Sequence, residues 1–311
     1  MSIILTIAIP TYNNEATIER AIQSCLSQSD LDNCEILLID NHSNDGTQKI
    51  YEKFLPSLKV VRNSETVSLF ENHNIALRNA QGSFVLFCHS DDELYPHAAK
   101  SVKKQISKRE FDNSYIFWGH SMFRDFSSAM NNSYFETGKV VSGMYATTPF
   151  LLGGLTPSGT CYSRNLIDIG GFLPAKHKIA QSDATSMIHA ILNGFRIEMI
   201  EDILFRRKEA STNSIEAPRS EVIAGFNDAF NGFLCNLEKK EIRDIILASQ
   251  QMKILPLKFY LLALDFFPYE VLKRLIENPF RAATLINLIR PDFYKILAKA
   301  IFKTICNKFK K

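Results

Sequence analysis

The sequence predicts an α/β protein built on an open, doubly wound and mostly parallel sheet with flanking helices. Strand-like apolar runs alternate with helical segments through the first hundred residues, the order that a parallel sheet with right-handed crossovers requires. The first run, ILTIAIP, is a continuous run rich in β-branched residues, which is typical of a strand buried on both faces. Polar clusters follow three of the runs, where sheets of this kind bind ligands.

Seven elements are predicted in this first part of the chain. The strands are ILTIAIP (4–10), EILLIDN (35–41), KVVRN (59–63) and SFVLFCH (83–89). Helices are predicted over 15–28, where apolar residues recur at helical spacing, after the turn at 43–46, and over 69–80.

The second part continues with fewer elements. Strands are predicted in YIFWGHSMF (115–123), after the turn at 155–159, and over 196–211, and a polar connection over 126–138. SDATSMIHAILNGF (182–195) reads as a helix that begins at Ser-Asp and ends at Asn-Gly. From about residue 218 the composition turns helical. The predicted division is therefore an α/β domain over 1–215, in two halves of 1–98 and 99–215, and a helical C-terminal region over 216–311.

The composition predicts a folded protein with a sizeable core, because 46% of the 311 residues are hydrophobic and 23 are Phe. The six cysteines form no CxxC pair, so reduced thiols are expected. The N-terminus has no basic residue before its short apolar run, which predicts a protein that stays in the cytoplasm.

The formal net charge of +3 is concentrated in a C-terminal tail, since residues 290–311 hold seven Lys or Arg and one Asp. A nucleic-acid partner is not expected, because no basic residues interleave with aromatics along the rest of the chain. In the tail, Lys295, Lys299 and Lys303 recur at a spacing of four, which predicts an amphipathic helix. Such a helix suits peripheral contact with an anionic membrane surface, and equally well an ordinary docked helix with solvated lysines.

The three polar clusters are PTYNN (10–14), DNHSNDG (40–46) and HSDDE (89–93). Because they follow parallel strands, we expect them to converge at one edge of the sheet. Asp91 and Asp92 suit Mg²⁺ or Mn²⁺, with His89 as a further ligand for Mn²⁺. The alternative is a solvated acidic turn in which Asp91 caps a helix that starts near Leu94.

The first two clusters suit a nucleotide. Asp40 could accept hydrogen bonds from a base edge or from ribose hydroxyls, and Thr11, Tyr12 and Asn13 could stack on and bond the same base. Simple turn chemistry explains Asp40 locally at least as well. Glycine-rich GxGxxG and GxxxxGK[ST] loops are absent from the sequence, so a nucleoside diphosphate held through a metal is the favoured ligand.

The array IAIPTYNN, EILLIDNHSNDGT and NIALRNAQGSFVLFCHSDDE resembles the N-terminal half of family 2 glycosyltransferases, which have the GT-A fold. Members typically show PTYN, then D-(D/N)-x-S-x-D-G-T, then A-x-G-(E)-(Y/F) leading to D-x-D-D. The three motifs occur here in order across residues 3–96. The resemblance implies a nucleotide-sugar half over 1–98 in which Pro10 and Asn74 also help to bind the donor.

A thinner resemblance extends over residues 156–215, the implied acceptor half. Members often carry GGF before a helix that opens with an acid, which implies that Asp183 is the general base. An N-cap role for Asp183 is the alternative, and both can hold together. LFRRKEASTNSI resembles the closing Y-R-x-H…S segment of the family and implies that Arg206 and Lys208 lie near the diphosphate.

Three residues depart from the family pattern. His89 stands where the first Asp of the metal loop usually is, His73 replaces the Arg that usually precedes the Asn at 74, and Lys208 replaces the usual His. The first departure puts the metal contact of residue 89 in doubt. The acid expected to hold the metal, Asp92, is kept.

The resemblance implies inverting, metal-dependent transfer of a hexosyl or N-acetylhexosaminyl group from a nucleotide-sugar, with UDP favoured. The acceptor implied is a glycan or a lipid-linked oligosaccharide of surface polysaccharide synthesis, at the inner face of the cell membrane. In this assignment Asp92 holds Mn²⁺ or Mg²⁺ and Asp91 holds the sugar or ribose. Two other functions stay open: a sugar-nucleotide nucleotidyltransferase, which would want a glycine-rich basic loop after the first strand, and a catalytically inactive scaffold of the same fold.

Overall fold

The computed structural model describes residues 2–109, 114–123, 138–146, 158–172 and 182–207, together with positions 298, 301 and 302. The predicted polar connection over 126–138 and the helical region over 216–311, with its basic tail, lie almost entirely outside these residues. The domain division therefore stays a prediction. Within the part of the chain that is described, no helix is both long and apolar enough to cross a membrane.

Nine strands are described: β1 Leu5–Thr11, β2 Cys34–Asp40, β3 Lys59–Arg62, β4 Phe84–Phe87, β5 Asp92–Leu94, β6 Tyr115–Phe123, β7 Val140–Val141, β8 Thr160–Ser163 and β9 Arg196–Arg207. The helices are α1 Ile18–Leu26, α2 Thr47–Tyr51, α3 Leu69–Asn79, α4 Ala98–Ser107, α5 Gly143–Ala146 and α6 Ser182–Leu192. Short 3-10 turns cover Glu52–Phe54 and Arg164–Ile169.

All nine strands belong to one sheet, in the order β3-β2-β1-β4-β8-β6-β9-β5, with β7 paired to β9. The pairs β1–β2, β1–β4 and β2–β3 are parallel, as the alternation of strands and helices predicts. The rest of the sheet is mixed, because β8 runs antiparallel to both β4 and β6, while β9 pairs parallel to β6 and antiparallel to β5.

The central strands of the parallel part, β1 and β4, are buried on both faces, which explains their largely apolar composition. All seven residues of β1 are buried, and so are all four of β4. Helix α1 packs its apolar stripe, including Ile18 and Ile22, into the same core cluster as Ile7 and Leu38. This core fixes the positions at which β1, β2 and β4 end and the polar clusters begin.

One local expectation is wrong. Residues 92–94 form strand β5, which pairs with β9, and helix α4 begins only at Ala98. Asp91 therefore does not cap a helix near Leu94. Residue 91 leads into a short strand that pairs with β9, and not into a helix, which removes the cap explanation for Asp91.

Candidate nucleotide and metal site

The three polar clusters meet at the carboxyl ends of β1, β2 and β4. Asn14 is the central contact, because its Oδ1 accepts hydrogen bonds from Ser90 Oγ at 2.7 Å and from the Tyr12 backbone N at 3.2 Å. Its own backbone N donates to Thr47 Oγ1 at 2.8 Å. One buried asparagine thus ties the first loop to the second and to the acidic loop.

The first and second loops also bind each other reciprocally. The Asn13 backbone N donates to Ser43 Oγ at 3.0 Å, and the Asn44 backbone N donates to Asn13 Oδ1 at 2.9 Å. Asn13 has a φ of 52°, a left-handed conformation that Asn tolerates better than most residues. The PTYNN turn is therefore held by specific side-chain contacts.

A second reciprocal pair of hydrogen bonds joins Glu15, next to the first loop, to the second loop. The Glu15 backbone N donates to Asp45 Oδ2 and the Gly46 backbone N donates to Glu15 Oε2, both at 3.0 Å. Burial alone raises the pKa of Asp45, but hydrogen bonds donated by Thr47 and by the Glu15 backbone hold that pKa below its usual value. The loop is thus stabilised with Asp45 ionised.

Asp40, the predicted reader of a base edge, is fully buried. Its Oδ1 accepts from the Ser43 backbone N at 2.9 Å, and its Oδ2 accepts from Tyr51 Oη at 3.1 Å and from the Arg62 guanidinium. Burial, together with the adjacent Asp40 charge, raises the pKa of Tyr51. In this structure Asp40 shapes the second loop, and contact with a base stays a prediction.

The sequence reasoning did not find Tyr51 or Arg62. Both lie on elements distant from the motif, at the end of α2 and the end of β3. Arg62 is detectable from register, because β2 pairs with β3 so that Asp40 lies opposite Arg62. An acid and a base at the ends of adjacent parallel strands are well placed to pair.

The predicted donor-binding residues of the first loop differ from one another in their exposure. Pro10 and Thr11 are buried in β1, whereas Tyr12 is 40% exposed and Asn13 is partly exposed. Tyr12 therefore offers a ring face to a ligand. Thr11 instead donates from Oγ1 to Asn14 Oδ1 at 3.4 Å, an internal contact of the loop.

The acidic loop brings together three side chains that can bind a metal. Ligand atoms of His89, Asp91 and Asp92 all lie within 4.8 Å of one another. The turn is closed by a hydrogen bond from the Asp92 backbone N to the His89 carbonyl at 3.0 Å. Two carboxylates and one imidazole suit Mn²⁺ well, and the carboxylates alone suit Mg²⁺. The donor set therefore fits a divalent cation.

His73 lies directly behind this cluster. It is fully buried, with its Nδ1 2.8 Å from the Leu69 carbonyl O and its Nε2 3.0 Å from His89 Nε2. Burial, and to a lesser extent the neighbouring His89, lower the pKa of His73 to about 3. His73 is thus neutral at physiological pH. Ser68 positions the helix that carries it, since Ser68 Oγ caps α3 by accepting from the Glu71 backbone N.

Asn74 clamps the GGF segment instead of lying open to a ligand. Its Nδ2 donates to the Phe172 carbonyl at 3.0 Å, and its Oδ1 accepts from the Phe172 backbone N at 2.7 Å. Only 6% of Asn74 is exposed. A donor-binding role for Asn74 stays a prediction, and its observed contacts make it a link between the two halves of the predicted domain.

The remaining predicted residues lie on β9 and α6. Arg206 donates to Glu93 Oε2 at 2.6 Å, next to the acidic loop, and this hydrogen bond raises the pKa of Arg206. Asp183 is the second residue of α6. Lys208 lies outside the described residues. The assignments of a base at 183 and of cations near a diphosphate are carried forward as predictions.

The profile described as Glycosyl transferase family 2 matches residues 6–167, more than half of the chain, including all three polar clusters. The chain belongs to glycosyltransferase family 2. This membership confirms the resemblance read from the motifs and the expected enzyme class.

Two curated relatives show how far the likeness extends. The chain is 28% identical over 202 residues to the poly(ribitol-phosphate) beta-N-acetylglucosaminyltransferase TarS of Staphylococcus aureus, covering 63% of this chain and 34% of TarS. It is 28% identical over 147 residues to the UDP-Glc:alpha-D-GlcNAc-diphosphoundecaprenol beta-1,3-glucosyltransferase WfaP of Escherichia coli, covering 47% and 52%. The chain thus spans about a third to a half of these relatives.

Solved structures agree on the fold. S. aureus TarS in complex with UDP matches with a TM-score of 0.62 at 19% identity, covering 96% of this chain and 88% of that one. Mannosyltransferase PcManGT from Pyrobaculum calidifontis, in complex with GDP-Man and Mn²⁺, matches with a TM-score of 0.57 at 18% identity, covering 99% and 87%. The expected GT-A fold is confirmed.

Proposed function

We propose that this chain transfers a sugar from a nucleotide-sugar to a glycan or lipid-linked acceptor in bacterial surface-polysaccharide synthesis. The observation that carries the proposal is the convergence of a metal-binding triad with the two nucleotide loops. Ser90, inside the triad segment, is hydrogen-bonded to Asn14 of the first loop. A diphosphate bound at the cation would therefore have its nucleoside directed toward Tyr12 and the second loop.

A UDP-linked donor is the favoured choice. TarS, which matches over nearly the whole chain, was solved with UDP, and WfaP is named for a UDP-linked donor. The exposed ring of Tyr12 offers a stacking face for a base. PcManGT was solved with GDP-Man, so GDP is the second choice.

Asp92 would hold the cation, with His89 as a further ligand. Asp91, predicted to hold the sugar or ribose, lies close enough to bind the same ion. The cation would neutralise the charge that develops on the leaving nucleoside diphosphate. Arg206, held beside the triad by Glu93, and Lys208, which follows it closely in the chain, would add positive charge on the same side. Mn²⁺ is favoured over Mg²⁺ because an imidazole belongs to the donor set.

Inversion at the anomeric carbon is proposed, with Asp183 as the general base. A carboxylate that removes the proton of an acceptor hydroxyl contributes about 10²–10⁴-fold to the rate. The support is positional, since Asp183 lies at the start of α6, following the GGF segment that Asn74 clamps to α3. Attack from the face opposite the diphosphate requires the base and the cation to flank the sugar.

The acceptor is proposed to be a glycan or a lipid-linked oligosaccharide. WfaP is named for a diphosphoundecaprenol-linked acceptor, and TarS for poly(ribitol-phosphate). Peripheral contact of the basic tail with a membrane, and a cytoplasmic location at its inner face, remain predictions. A vesicle co-sedimentation assay with and without anionic lipid tests the tail directly.

The deciding experiment is a product assay with a panel of UDP- and GDP-sugars, with Mn²⁺ or Mg²⁺ present, on wild type and Asp92→Asn. We expect release of one nucleoside diphosphate that depends on the cation and is lost in Asp92→Asn. Asp32→Asn, on an exposed turn, is the matched control and should keep full activity. Binding of a sugar nucleotide without any turnover would instead favour the inactive-scaffold function.

A further inference from the structure

Two of the residues that depart from the family pattern are in direct contact. His73 Nε2 and His89 Nε2 lie 3.0 Å apart, although 16 positions separate them in sequence. In the family pattern an Arg and an Asp occupy these two positions. The two departures therefore meet at one place in the fold.

The carbonyl of Leu69 fixes the tautomer of His73. A carbonyl oxygen can only accept, so the Nδ1 that lies 2.8 Å from it carries the proton. The ring is fully buried and surrounded by aromatic rings, with centroid distances of 4.9 Å to Phe87, 5.3 Å to Phe172 and 5.7 Å to Phe70. Since such surroundings disfavour a charge, His73 is neutral and its Nε2 is an acceptor.

His73 in turn fixes His89. Because His73 Nε2 accepts, His89 Nε2 must donate across the 3.0 Å contact. The ring nitrogen of His89 that can coordinate a cation is therefore Nδ1. A histidine whose second nitrogen is held in this way has its ring orientation and basicity set for coordination.

We propose that His73 is a positioning residue which holds His89 with Nδ1 toward Asp91 and Asp92, so that the site binds a cation through nitrogen and oxygen together. Such a donor set selects Mn²⁺, and the softer first-row ions, over Mg²⁺. The inference rests on the proposed function for the existence of the cation site. The role of His73, and the tautomer and ring orientation that it sets at His89, are new to it.

The first test needs neither cation nor donor. Two-dimensional ¹H–¹⁵N spectra of the histidine-labelled chain report which ring nitrogen carries the proton. We expect His73 as the Nδ1–H tautomer and His89 as the Nε2–H tautomer. In His73→Phe, His89 should lose its preference for the Nε2–H tautomer. A His89 ring protonated at Nδ1 alone would overturn the inference.

The second test uses Mn²⁺ alone, with electron spin-echo spectroscopy to detect a directly bound imidazole nitrogen. We expect ¹⁴N modulation in wild type that is absent in His89→Ala, and Mn²⁺ binding about tenfold or more weaker in His73→Phe. Phe70→Leu is the matched control, since it loosens the same aromatic surroundings but keeps the nitrogen acceptor. The Mn²⁺ affinity of Phe70→Leu should stay within about twofold of wild type, a much smaller change than the loss expected for His73→Phe.

Each other result overturns the inference in a distinguishable way. The positioning role is wrong if wild type binds Mn²⁺ only through oxygen. It is also wrong if His73→Phe keeps the Mn²⁺ affinity and the ¹⁴N modulation of wild type. Either result leaves the proposed transferase function intact. Equal affinity for Mg²⁺ and Mn²⁺ removes the selectivity. Mn²⁺ that does not bind at all removes the site itself, and the product assay then decides the proposed function separately.

Discussion

Ser90 and Asn14 form a buried hydrogen bond of 2.7 Å that joins the acidic loop to the first polar loop, PTYNN. Ser90 lies between the two side chains, His89 and Asp91, that begin the metal triad. Asn14 is bound in turn to Thr47 of the second loop. In the proposed site, the Ser90 hydroxyl would therefore help to set the separation between the cation and the nucleoside.

Ser90→Ala should therefore weaken donor binding as well as stability. The variant removes one of the three hydrogen bonds that Asn14 Oδ1 accepts, and losing one such bond costs about 0.5–1.5 kcal/mol of unfolding free energy. We expect KM for the sugar nucleotide to rise, and urea denaturation gives the stability change. Ser107→Ala, at the exposed end of α4, is the control. A stability loss with unchanged KM would separate the hydroxyl from donor positioning.

Tyr51→Phe tests whether Asp40 acts through the second loop or by touching a base. Loss of the 3.1 Å hydrogen bond should loosen the loop by about 1 kcal/mol. If Asp40 works through loop shape, nucleotide affinity falls about fivefold, which is what we expect. Isothermal titration with UDP measures it. If UDP binds Tyr51→Phe as tightly as wild type or more tightly, and does not bind Asp40→Asn at all, Asp40 contacts the base directly.

Gly171→Ala should disrupt the clamp between Asn74 and the GGF segment. Gly171 has a φ of 66°, and a Cβ there would overlap Asn74 Oδ1. Strain at such a φ alone costs on the order of 1–3 kcal/mol. Gly170→Ala is the matched control, because Gly170 has a φ of 103° but its Cβ would meet nothing within 4 Å. Thermal melting should show a larger loss for Gly171→Ala, and equal losses would mean that the overlap is relieved.

The parallel half of the fold was predictable because its signals are local. Apolar runs buried on both faces, and the Ser68–Glu71 cap before α3, can be read from neighbouring residues. The short strand β5 could not be read in this way, since three residues acquire strand geometry only by pairing with β9, more than a hundred positions away.

The same distinction between local signals and long-range contacts holds for the candidate site. Strand ends predicted the meeting of the three polar clusters, because parallel strands bring their carboxyl ends together. The burial of Asp40 against Tyr51 and Arg62 depends on where side chains point after packing, which sequence spacing does not give. The contact between His73 and His89 is of the same kind, and each residue alone looked like an isolated departure.

The two histidines should be energetically coupled, and a double-mutant cycle with the family residues tests this. His89→Asp alone sets a carboxylate against the lone pair of His73 Nε2, unless His73 takes a proton within its aromatic surroundings. His73→Arg alone buries a guanidinium beside an imidazole that donates. The double variant places an Arg beside an Asp. We expect the unfolding free energy of the double variant to exceed the additive value by about 0.5–3 kcal/mol in urea titrations.

A cycle with Phe70→Leu in place of His73→Arg is the control and should couple less. Additive losses within about 0.5 kcal/mol would mean that the contact exists without linking the two positions.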